Sequence, residues 1–170
     1  MQRLALLVLS VALVSMAAPA RAGDLSLGSV LMTELNKVLD ASNGLHGALV
    51  THDEEQIEIG LRDLLRQLDR TRSFASLAKP HERSHLVRIL DGAREQFELT
   101  HSAVGEERRA RFINGYNQLA NIVRIYKVDR AFAIFFCPKD RTNWVQKGSK
   151  ALNPFRGPAS REVCGMKIPR

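Results

Sequence analysis

The chain has 170 residues, 45% hydrophobic and 25% charged, with a formal net charge of +7. Setting aside an N-terminal leader leaves about 150 residues, a size that suits one domain with its own core. Beyond that leader no stretch is long and apolar enough to span a bilayer, which excludes a protein of several membrane spans.

The leader itself is read from three features. Arg3 supplies a minimal charged start, Leu4 to Val14 is apolar apart from Ser10, and Ala20-Arg21-Ala22 has the small-x-small pattern of a cleavage site. A membrane-spanning helix needs about 20 apolar residues, and this run is shorter. The sequence predicts cleavage after Ala22, with an uncleaved anchor as the alternative. No cysteine follows the run, so a lipid anchor on a new N-terminal Cys is excluded. Export places the chain in an oxidising compartment, most simply a bacterial periplasm.

Residues 23–129 show four helical stripes. Leu31, Leu35, Val38, Ala41, Leu45 and Leu49 recur at steps of three and four. Thr51 and Glu54 have the spacing of a capping box, and Ile57, Leu61, Leu64, Leu68 and Ala75 continue behind them. Pro80 suits the first turn of a third helix, which presents Leu86, Ile89 or Leu90, Ala93 and Phe97. Gly105 interrupts, Glu106 and Glu107 favour the positive end of a helix, and Phe112, Tyr116, Leu119, Val123 and Tyr126 form the fourth stripe. Short connections between amphipathic helices predict an all-α, up-down four-helix bundle.

Residues 130–170 differ in kind. Phe132, Ile134 and Phe136 alternate, suggesting a short extended segment. Further on, Pro138, Gly148, Pro154, Gly157, Pro158, Gly165 and Pro169 predict irregular structure, wrapped onto the bundle through Trp144 and Phe155. A disordered tail is the competing reading. From Lys139 on, eight cations face Asp140 and Glu162, so this segment alone carries about +6.

Both cysteines lie here. Cys137 and Cys164 bracket a loop of about 28 residues, and a disulfide would stabilise the fold by about 3 to 4 kcal/mol. Alternatively Cys137, Cys164 and Met166 offer three soft sulfur ligands to Cu(I), or the pair switches between these roles. Neither cysteine belongs to a zinc-ribbon C-x-x-C pair. His81 and His85 stand one helical turn apart and form a weaker candidate for Zn(II) or Cu(II). His46, His52 and His101 stand alone and read as surface or helix-end residues and not as ligands.

Lys139, Arg141, Lys147, Lys150, Arg156 and Arg161 form a candidate basic surface for an acidic protein partner or an anionic membrane. An exported destination argues against nucleic acid. Catalysis finds no support: there is no G-x-S-x-G elbow, no phosphate-cradling glycine loop, and no cysteine with a local His partner. Glu54, Glu55 and Asp63 read as solvated surface charges.

Taken together, Cys137-Pro138, Trp144-Val145-Gln146, Asn153-Pro154-Phe155-Arg156-Gly157 and Cys164-Gly165 resemble a bacterial periplasmic domain family of unassigned function. Its members occur alone and at the ends of copper and heavy-metal efflux adaptor proteins. Leu45-His46-Gly47-Ala48-Leu49-Val50 ahead of Asp53, and Arg109-Ala110-Arg111-Phe112, extend the likeness over the helices. The resemblance implies a helical bundle with a Cys-bearing C-terminal segment and a role in copper or heavy-metal handling. Two methionines of the family pattern fall on Lys139 and Arg161 here. Cations in place of thioethers remove two soft ligands and repel a bound metal ion. The expectation is an accessory binding protein whose metal affinity is weakened or lost. The alternative is a metal-free interaction module working through its basic tail.

Overall fold

A computed structural model describes residues 25–78, 80–156 and 164–169. The leader, residues 1–22, lies outside the described residues, as does Arg161.

Four helices form where the stripes predict them: α1 (Ser29–Thr51), α2 (Glu54–Ser76), α3 (Pro80–Leu99) and α4 (Gly105–Ile125). Their apolar stripes face inward, and Leu35, Val38, Leu61, Leu64, Leu86, Phe97, Leu119 and Val123 are all fully buried. The start of α2 differs from the capping-box expectation. Asp53 is the N-cap, its carboxylate accepting from the Gln56 N–H at 3.1 Å. Thr51 instead ends α1, where its hydroxyl bonds back to the Gly47 and Ala48 carbonyls. An aspartate two residues on is the better cap because its short carboxylate reaches the free N–H groups directly.

Successive helices are antiparallel. Glu34 of α1 meets Arg70 of α2, while Arg72 and Arg94 exchange ion pairs with Asp91 and Asp69 across α2 and α3. Close approach is set by small residues. A Cβ on Gly60 would lie 3.0 Å from the Leu45 backbone, and one on Gly115 would lie 2.6 Å from the Phe97 ring.

The C-terminal region corrects the all-α reading. Strands β1 (Phe132–Cys137), β2 (Thr142–Lys147) and β3 (Met166–Ile168) make an antiparallel sheet in the order β2-β1-β3. The prolines and glycines flank β2 without entering it, leaving Thr142, Trp144 and Val145 free to extend. The edge strand β3 is three residues long, exposes Lys167 and is followed by Pro169, which discourages pairing with another chain.

The bundle is not closed by its helices alone. Contacts run α1 to α2, α2 to α3 and α3 to α4, while β2 touches both α4 and α1 and fills the seam between them. Asn143 of β2 bonds Asn117 of α4 at 3.2 Å, and the Lys147 N–H bonds Asn43 of α1 at 2.8 Å. Trp144, Val145, Phe135 and Phe155 therefore belong to the same core as the helices. The described core side chains lie between Leu27 and Cys164, so a chain starting at Gly23 carries all of them. Among the described residues no helix is long and apolar enough to cross a membrane.

Gly115→Ala tests the α3–α4 approach. Helix propensity alone would favour alanine by about 1 kcal/mol. Overlap with the rigid Phe97 ring outweighs that, and the variant should lose about 1 to 3 kcal/mol in urea unfolding.

Candidate functional site: the cysteine-bracketed C-terminal segment

Cys137 ends β1 and Cys164 stands just before β3, so antiparallel pairing of these strands brings the two together. They form a disulfide with Cα atoms 5.2 Å apart and a sequence separation of 27. Both are buried. Gly165 follows for a steric reason: a Cβ there would lie 2.7 Å from Ala151 and from the edge of the Trp144 ring. Only glycine lets the chain cross the indole this closely.

The remaining motif residues are turned toward one another. Trp144 and Gln146 lie two apart on β2 and so share a face. The indole N–H donates to Gln146 Oε1 at 2.7 Å, and the same oxygen accepts from the Leu152 N–H at 3.0 Å. Gln146 Nε2 in turn donates to the Lys150 carbonyl at 2.7 Å. One side-chain amide thus satisfies the buried indole and fixes the following loop. Trp144 stacks on its cross-strand partner Phe135, with ring centroids 5.8 Å apart.

Asn153 closes a local turn by accepting from the Phe155 N–H at 2.9 Å. Phe155 is buried edge-on against Tyr116 of α4. Its carbonyl receives Arg109 Nε at 3.1 Å, and the Leu152 carbonyl receives His46 Nε2 at 2.7 Å. His46 is buried, against the expectation of a surface or helix-end position. Burial pushes it below the ordinary histidine range, outweighing the opposite effect of that carbonyl, so the ring is neutral. Burial also drives the Tyr116 phenol well upward, and its hydroxyl donates to the Ser42 carbonyl of α1.

Asp140, in the turn between β1 and β2, is the hub of the charged contacts. Arg156 donates to both its oxygens, at 2.8 and 3.2 Å, and Asn153 adds a longer bond. Arg156 holds the Asp140 carboxyl below the usual range, against the opposing effect of burial. Asp140 Oδ2 also lies 3.4 Å from Cys137 Sγ, a contact without a proton because the sulfur is in a disulfide. Sequence reasoning passed over Asp140 as a site residue, although its position as one of only two acids among the tail cations was the available signal.

The basic-surface residues separate into two groups. Arg156 is spent on Asp140, and Lys147 pairs with Asp40 of α1 while lying over the Phe132 ring at 5.0 Å. Lys139, Arg141 and Lys150 are exposed, with Arg141 in the left-handed conformation at φ 53°. Met166 is exposed on β3, opposite Phe136.

The histidines are dispersed. The His81 side chain falls outside the described residues, and His85 is exposed with Nδ1 3.4 Å from the Tyr126 hydroxyl. His52 caps α1 at φ 55° and bonds the Arg156 carbonyl at 3.1 Å, while His101 faces Glu58. Among the described residues no three His, Cys, Asp or Glu side chains are grouped to share a metal ion. Beside the tail, His52, Arg108, Arg109, Phe112 and Phe155 line a cleft of about 270 Å³. Its guanidinium groups are engaged, Arg108 by Glu54 and Glu58 and Arg109 by the Phe155 carbonyl and Glu106.

Asp140→Asn should lower stability at pH 7 by about 1 to 3 kcal/mol, the scale of a hydrogen-bonded charge. A depressed carboxyl stabilises the fold above the unfolded value of about 3.9 and loses that contribution as pH falls through the folded value. The gap between wild type and variant in urea unfolding should therefore narrow below about pH 4; a constant gap would refute the assignment. Comparison with protein-family models, curated proteins and solved structures returned no match.

Proposed function

We propose that this chain is an exported, non-enzymatic accessory binding protein of the copper and heavy-metal handling lineage, acting as a stapled scaffold and not as a metal carrier. Its destination in this reading is the periplasm, reached by cleavage after Ala22. The lineage is supported by the motif resemblance alone. The scaffold role is supported by one observation: the motif side chains are engaged within the fold, Trp144 with Gln146, Cys137 with Cys164, Asn153 with the Phe155 N–H and Phe155 with Tyr116 of α4.

The donor set does not fit Cu(I) in this form. A disulfide offers no thiolate, Met166 is the one thioether of the described C-terminal segment, and Lys139 stands where the resembled family carries a methionine. What the arrangement does supply is a segment whose described residues are bonded to α1, α4 and one another, the kind of surface that presents a fixed shape to a partner protein.

Thiol counting under denaturing, non-reducing conditions should find no free cysteine, and intact protein should not compete for Cu(I) with a chromophoric chelator. Competition by the oxidised protein would overturn the scaffold reading. Cys164→Ser should lower stability by about 3 to 4 kcal/mol in urea unfolding, while His81→Ala should change neither stability nor metal competition.

A further inference from the structure

The two sides of the disulfide are held in different ways. Up to Arg156 the C-terminal chain is anchored by its own bonds: Gln146 to Lys150 and Leu152, His46 to Leu152, Arg109 to Phe155, and Arg156 to Asp140. Cys137 is fixed by the β1–β2 hairpin. On the other side, three register pairs join β3 to β1, and Met166 and Lys167 are exposed. Among the described residues, no side-chain hydrogen bond or ion pair adds to them between Cys164 and Ile168. Apart from the packing of Ile168 on the core and of Gly165 on Trp144, the disulfide is what fixes this edge strand.

The two sulfurs also differ in surroundings. Cys137 is fully buried, whereas Cys164 lies at the rim and is 8% exposed. Beside Cys137 stand two polar groups whose contacts the disulfide form cannot complete. Asp140 Oδ2 lies 3.4 Å from its sulfur, within reach of a bond that only a thiol could donate. Thr142 is its cross-strand partner on β2 and is 2% exposed. Among the described residues, the Thr142 hydroxyl is the one buried side-chain polar atom without a hydrogen-bond partner. Such a group is costly and calls for an explanation. Directly opposite residues of an antiparallel pair are neighbours on one face. A Cys137 sulfur released from Cys164 can turn about its Cα–Cβ bond to another staggered position and meet that hydroxyl. The polar groups around Cys137 suit a free thiol better than a disulfide.

We propose that Cys137–Cys164 is a reversible redox latch: a dithiol reductant opens it, Cys137 stays in place as a thiol beside Asp140 and Thr142, and Cys164 with β3 leaves the edge of β1 while the helices remain folded. The more exposed sulfur sets the order of events. A reductant thiolate attacks Cys164 Sγ, the S–S bond breaks, and Cys137 departs as a thiolate that the Thr142 hydroxyl stabilises before it takes up a proton. The second reductant thiol then displaces Cys164. The chain gains two electrons and two protons, and the reductant leaves as a disulfide. Release uncovers the edge of Ile134, Phe135 and Phe136 and the rim of the Trp144 ring that Gly165 covers. Unpaired backbone groups on such an edge must be satisfied by water or by another strand. This inference does not rest on the metal-handling reading.

The test equilibrates the full chain with mixtures of reduced and oxidised dithiothreitol, counts thiols after acid quenching and alkylation, and follows Trp144 emission and amide hydrogen exchange. Reduction under native conditions is expected to be reversible and to red-shift the single tryptophan. Exchange should quicken at Met166–Ile168 and along the facing edge of β1, while amides in the middle of α1 to α4 stay protected. Thr142→Val removes a hydroxyl that only the reduced form bonds, so it should lower the ratio of reduced to oxidised protein by about fivefold. Thr142→Ser keeps the hydroxyl and should stay within about twofold of wild type. Loss of helix protection together with β3, resistance to reduction short of unfolding, or a Thr142→Val ratio equal to or above wild type would each overturn the proposal. If Thr142→Val fails to fold, exchange in the reduced wild-type chain decides by itself.

Discussion

The seam between α1 and α4 is the constraint on which the rest of the structure depends. The helices pack in sequence order, and between the first and last, beside the direct Tyr116–Ser42 bond, β2 and the loop after it supply the packing that closes the ring. Removing Trp144 and Phe155 from that seam would leave the buried faces of Tyr116 and neighbouring helix residues without packing partners. Interiors are close-packed, so such a gap is costly in lost dispersion and hydrophobic contact. The C-terminal segment is for this reason part of the core and not an appendage to it.

A segment with only twelve residues in its two longer strands and three in its edge strand has little backbone pairing to hold it. Three devices make up the difference. The disulfide ties β3 to β1, Gln146 links the indole to the loop, and the Asp140–Arg156 pair joins the hairpin turn to the chain beyond Asn153. Each takes up a functional group that a binding or catalytic reading would want free.

The two ends of the molecule differ in chemistry. At one, polar and sulfur chemistry is turned inward, which suits a scaffold. At the other, Val30 in the first turn of α1 and Leu77 just past α2 are exposed, although apolar residues deeper in those two helices are buried.

Much of this was legible in the residues. Helical periodicity placed all four helices because burial on one face imposes a repeat that any long amphipathic helix must show, and Pro80 and Gly105 marked their starts. The cysteine spacing left a disulfide, a soft-metal site and a switch open, and only the antiparallel register of β1 and β3 brought the sulfurs into bonding reach. The strand β2 escaped notice because a segment buried on both faces carries no alternation, and β3 because three largely exposed residues are too few to show any period. Asp140 and His46 escaped for a related reason: their roles depend on Arg156 and on the Leu152 carbonyl, groups distant in sequence for His46 and unremarkable by type for Asp140. The sequence by itself determined the helices, the rare residues and the charge of the tail. Only the tertiary structure decided that the tail closes the bundle and that two of its cations are paired with acids of the same fold, because packing and ion pairing are settled by position in space, which spacing along the chain does not encode.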